Sequence, residues 1–126
     1  MHYKRKESFR YTYTEPCKAT FRLIKDAVGL TEPEKSKKGS CDIIDISPHG
    51  LKIFTEFSIA IEKHIHVELN FTIDESPIDL IGEFVWSHRK INGYEYGINF
   101  PEDTYTEQLI VNELKNLRKK SMNIKK

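Results

Sequence analysis

The chain has 126 residues, 38% of them hydrophobic and 31% charged, and its 20 Lys and Arg nearly cancel 19 Asp and Glu to a formal net charge of +1. That length predicts one domain, able to bury roughly two-thirds of the surface its unfolded chain exposes without disulfide staples. It has no run of about 18 apolar residues, which excludes a transmembrane helix, and the charged start Met1–Glu7 has no apolar stretch behind it, so no secretory signal is expected.

The small net charge conceals a segregation. Lys4, Arg5, Lys6 and Arg10 against Glu7 make residues 1–10 locally +3, and Lys115, Arg118, Lys119, Lys120, Lys125 and Lys126 make residues 115–126 +6. The stretch between them is −8. Charge asymmetry of this kind marks either solvated tails or contact with an anion. Cys17 and Cys41 belong to no ligand or redox motif and are read as reduced thiols, with a single disulfide left open.

In chain order, the first feature is the basic stretch Arg5-Lys6-Glu7-Ser8-Phe9-Arg10, placed ahead of the first strand where a chain is expected to be mobile. Ala19, Phe21 and Leu23 then alternate with Lys18, Thr20 and Arg22, which predicts a strand with one buried face. Asp26–Ser40, rich in Lys, Glu, Gly and Ser and containing Pro33, reads as an exposed loop. Asp45-Ile46-Ser47-Pro48-His49-Gly50 lies at a junction of two strands. If Ile44 and Ile46 point inward, Asp45 and Ser47 stand on the opposite, outer face. Gly50 would let the backbone turn or a flat ligand approach.

Leu51 and Ile53 alternate with Lys52 and Phe54. Ile65, Val67, Leu69 and Phe71 alternate with His64, His66, Glu68 and Asn70. Ile78–His88 predicts another strand, with Gly82 as a bend or bulge, and Asn92-Gly93 signals a hairpin into Gly93–Phe100. Trp86, Tyr94 and Tyr96 are read as barrel packing. Beyond Pro101 the period changes: Thr104-x-x-Glu107 has a capping-box pattern, and Ile110, Leu114 and Leu117 follow at helical spacing. Basic residues collected in the last turns would favour the helix C-terminus electrostatically. The expected fold is therefore all-β, a six-stranded antiparallel barrel with a C-terminal α-helix. As one domain it divides into an N-terminal segment 1–12, a barrel 17–100 and a helix 102–120.

Taken in order, these motifs resemble the PilZ family, bacterial receptor modules for cyclic di-GMP with a split β-barrel. The family pairs an N-terminal Arg-x-x-x-Arg with a downstream Asp/Asn-x-Ser-x-x-Gly, and the second motif is matched by Asp45, Ser47 and Gly50. Gly82-Glu83-Phe84-Val85-Trp86 and Tyr96-Gly97-Ile98-Asn99-Phe100 resemble the family's later strands. In the first motif Arg10 fits the second Arg, but Lys6 stands where the first would be, with Arg5 adjacent. A guanidinium fork meets two phosphate oxygens, or guanine O6 and N7, in a planar bidentate contact that an ammonium cannot make. Losing one fork puts about 1–3 kcal/mol at stake.

The resemblance implies a cyclic di-GMP-binding adaptor, with Arg5, Lys6, Arg10, Asp45, Ser47 and Gly50 as its ligand residues. It also implies a bacterial, cytoplasmic setting and a protein partner in motility, attachment or polysaccharide output. A PilZ interaction module that binds no nucleotide is the alternative. A nucleic-acid-binding barrel is disfavoured, because a long polyanion would have to lie along the acidic body. No cofactor, metal site or membrane insertion is expected: His64 and His66 share a strand face but have no third ligand, and His49 sits inside the second motif. No catalytic Ser–His–Asp or Cys–His arrangement, paired carboxylates or phosphate-binding Gly loop is apparent, so no enzyme is expected.

Overall fold

The structure is a computed structural model that describes residues 11–25, 34–63, 65–101 and 103–124. Its elements are β1 (Tyr11–Lys25), β2 (Glu34–Lys35), β3 (Gly39–Ser47), β4 (Gly50–Thr55), β5 (Ile65–Thr72), β6 (Pro77–Arg89), β7 (Tyr94–Asn99) and the helix α1 (Thr104–Ile124). Every strand pairing is antiparallel, in the order β2-β1-β3-β4-β7-β6-β5, and β1 also pairs with β5. Six strands thus close into a barrel, which removes the free edges an open sheet would expose. The seventh, β2, extends the end of β1 as a two-residue ladder, Ile24 opposite Lys35 and Lys25 opposite Glu34.

Alternation along the strands fills the interior. Ile43, Ile46, Ile53, Val67, Leu69, Ile78, Tyr96 and Ile98 are all but fully buried, and Ile110 and Leu114 bring one face of the helix into the same core. At roughly 1.5–3 kcal/mol for each large apolar side chain removed from water, this cluster is the main force holding the barrel shut. Tyr96 brings a phenol into its centre. Its hydroxyl accepts from Ile59 N–H at 2.7 Å and donates to the Phe57 carbonyl at 3.2 Å, which ties the segment after β4 to the core.

Several local expectations change. Among the described residues the barrel already includes Tyr11, ahead of residue 17: Tyr11 lies opposite Ile46 and Thr12 opposite Asp45. The register with β3 then jumps to Cys17 opposite Ile43, so Tyr13–Pro16 face a single residue, Ile44. Pro16 cannot donate to a ladder, and the wide irregularity around it interrupted the alternation in sequence. Ile44 is a bulge residue against β4 as well, so Ile43, not Ile44, points inward together with Ile46. Gly82 pairs regularly with Val67; the bulge in β6 lies between Phe84 and Trp86. The predicted loop 26–40 gives up Glu34–Lys35 to β2 and Gly39–Ser40 to β3. Cys17 and Cys41 are free thiols.

The helix start is capped by Asp103 rather than by a box centred on Thr104. Asp103 accepts from Tyr105 N–H at 3.3 Å and from the Thr106 hydroxyl at 2.6 Å, while its carbonyl takes the first intrahelical bond from Glu107. The helix continues to Ile124, so its last turn contains no basic residue. Two of its side chains instead hold the β5–β6 turn. The buried Glu113 accepts from the backbone N–H groups of Asp74, Glu75 and Ser76 at 2.8, 2.9 and 3.1 Å, and Lys120 reaches the carboxylates of Asp74 and Glu75.

Candidate functional site

Ser47 and Gly50 are paired across a tight turn whose corners are Pro48 and His49. Proline's fixed φ suits the turn, and the Ser47 hydroxyl donates to the Gly50 carbonyl at 3.2 Å. With Ile46 inside, Asp45 and Ser47 face outward, yet both are buried in the wall. Their neighbours follow from the register. Asp45 is opposite Lys52, Lys52 opposite Gly97, and Gly97 opposite Trp86, so one row crosses β3, β4, β7 and β6. The next row is Ser47, Gly50, Asn99, Glu83 and, on β5, His66. Two bulges keep these rows facing out. The one at Ile44 puts Asp45 on the outer face, and the one between Phe84 and Trp86 turns the indole out too.

A cleft of about 270 Å³ opens on these rows, with Asp45, Gly50, Lys52, Trp86, Gly97 and Asn99 in its lining. Its floor is shaped by missing side chains. A Cβ at Gly97 would overlap Trp86 Nε1 and Cε2, so the indole lies directly on bare backbone. A Cβ at Gly50 would stand 2.8 Å from the Ile98 carbonyl oxygen and 3.1 Å from Asn99 Oδ1. The space Gly50 leaves is therefore taken by β7 rather than held open. Lys52 Nζ lies 3.6 Å from Asp45 Oδ2, and His66 Nε2 lies 3.7 Å from Glu83 Oε2. Trp86 remains 43% exposed, the largest aromatic surface in the cleft. It does not pack inside the barrel as expected, whereas Tyr96 does and Tyr94 packs partly against it.

Of the sequence-predicted residues, Asp45, Ser47 and Gly50 come together at this wall. Arg5, Lys6, Arg10 and His64 lie outside the described residues. His49 turns away to α1, where its Nδ1 is 3.5 Å from Glu107 Oε2. Lys52, Trp86 and Asn99 were not singled out as site residues, because membership depends on cross-strand register. Among the described residues no group of His, Cys, Asp or Glu is assembled to hold a metal ion. Burial pushes the Cys41 thiol up to about 12 and raises Cys17 as well, so neither is a ready thiolate nucleophile at neutral pH.

The match to known families decides the class. The family model described as PilZ domain matches residues 4–116, which takes in both motifs, the closed barrel and most of the helix. The chain is a PilZ domain. No curated protein and no solved structure matched it. PilZ domains are receptor and adaptor modules. Among the described residues this one has no helix long and apolar enough to cross a membrane.

Proposed function

We propose that this PilZ domain is a cyclic di-GMP receptor that regulates a partner protein through a change in its N-terminal segment and surface. The observation that carries the reading is the outward row Asp45, Lys52, Gly97 and Trp86 lying beside Ser47 and Gly50. It offers an acid, a cation and an exposed aromatic face within one cleft. Guanine has N1–H and N2–H₂ donors on the edge an Asp carboxylate accepts from, and a π-face that stacks on indole. Arg10 is one peptide bond before Tyr11, which lies opposite Ile46 between Asp45 and Ser47. In this reading Arg5, Lys6 and Arg10 bind the ligand's two phosphates and the O6/N7 edge of guanine. Ordering such a segment over the nucleotide would present a new surface to motility, attachment or polysaccharide machinery in a bacterial cytoplasm.

Calorimetric titration of the full chain with cyclic di-GMP, with GTP and cyclic di-AMP as controls, tests the reading. Guanine-specific binding weakened about tenfold or more by Arg10→Ala and by Ser47→Ala is the expected result. Undiminished binding in both variants would remove the site assignment. Lys6 in place of the motif's first Arg supports a second reading, a PilZ interaction module without a nucleotide. Its signature is silence toward both cyclic di-GMP and generic DNA.

A further inference from the structure

We propose that Lys52 is a phosphate-binding residue of this site, a cation supplied by the barrel wall in addition to those of the N-terminal segment. The inference rests on the cyclic di-GMP reading above. Lys52 stands mid-row, between the carboxylate of Asp45 on β3 and the Gly97–Trp86 platform of β7 and β6. Lys52 lines the same cleft as that platform, so a ligand carrying both a base and phosphates within the cleft comes within its reach. The Lys52 side chain is 30% exposed, so part of it is open to solvent at the cleft. At 3.6 Å from Asp45 it is in ion-pair range but beyond a good hydrogen bond, and it makes no hydrogen bond among the described residues. Its three N–H donors are thus available to an anion.

One electrostatic consequence follows. Lys52 adds a positive charge to a cleft that a dianion would enter in an otherwise acidic body. An alternative is a plain cross-strand ion pair of no consequence for binding. The two differ in how affinity responds to salt.

The test is calorimetry on the full chain with cyclic di-GMP at low and moderate NaCl, comparing wild type, Lys52→Met and Lys52→Arg, with thermal melts as a folding check. Lys52→Met is expected to weaken binding about five- to tenfold at low salt and to flatten its salt dependence. Lys52→Arg, which keeps the charge, is expected to stay within about threefold of wild type. Equal affinity of Lys52→Met and wild type overturns the inference while leaving the receptor reading intact. Weaker binding with an unchanged salt dependence also overturns it, by assigning Lys52 to the positioning of Asp45. No binding by wild type overturns both.

Discussion

Glu113 couples the helix to the barrel at the β5–β6 turn, and its removal has a calculable cost. One oxygen, Oε1, accepts three successive backbone N–H groups of the β5–β6 turn at 2.8–3.1 Å, from a residue only 4% exposed. Hydrogen bonds to a charged acceptor contribute about 1.5–3 kcal/mol each when buried, but Glu75 is exposed and Asp74 and Ser76 are half-buried, so water recovers part of the loss. Glu113→Ala should therefore cost about 3 kcal/mol rather than the full sum. Glu113→Gln retains a carbonyl oxygen that fits the Oε1 position and loses only the charge, so about 1 kcal/mol is expected. Urea unfolding followed by circular dichroism measures both. Amide exchange of Asp74, Glu75 and Ser76 should accelerate in Glu113→Ala well beyond the global change. If Gln proves as damaging as Ala, the carboxylate acts by charge and the acceptor geometry is irrelevant. An Ala variant within about 0.5 kcal/mol of wild type refutes the reasoning altogether.

Cys41 predicts a pH dependence. Its thiol is raised from the ordinary value of 9.0 to about 12, first by burial and then by Asp42 and Cys17. The unfolded chain therefore releases this proton first, and the associated stability, complete below pH 9, is lost as pH rises from 9 toward 12. Between pH 9 and 10 wild type should lose about 1 kcal/mol more than Cys41→Ala; equal slopes would show that the thiol does not titrate as described. Gly97→Ala tests the indole platform. The added Cβ overlaps Trp86, so the ring must lift off the strand, at about 1–3 kcal/mol of stability and with a shift in the emission of the chain's single Trp. Emission identical to wild type would mean that the ring does not lie on that glycine.

Alternation made most of the barrel legible beforehand. Ala19 and Phe21, Val67, Leu69 and Phe71, and Tyr96 and Ile98 face inward as their spacing requires. The two bulges were not legible. Ile43 and Ile44 are chemically identical, and only the partner strand determines which becomes the extra residue. In β6 a glycine suggested the irregularity at position 82, where the backbone is regular, while the bulge itself lies at an unremarked valine. The same distinction separates the site residues. Asp45, Ser47 and Gly50 form a compact local pattern. Lys52, Trp86 and Asn99 join them only through registers with strands distant in sequence. The helix cap was displaced by one residue for a similar reason: Asp103 is free to cap, whereas Glu107 is drawn toward His49.

The row from Asp45 to Trp86 also has a kinetic meaning. Its members come from two hairpins, β3–β4 and β6–β7, joined by the β4–β7 pairing, so neither hairpin alone carries it. A molecule bound across the row has affinity for the two hairpins joined and not for either one alone. At a concentration a hundred times its Kd, such a ligand would stabilise the joined, folded state by about 2.7 kcal/mol. Because the row is completed only when the hairpins meet, that stabilisation should appear as slower unfolding with little gain in folding rate. The cleft would then act as a clasp between two halves of the wall.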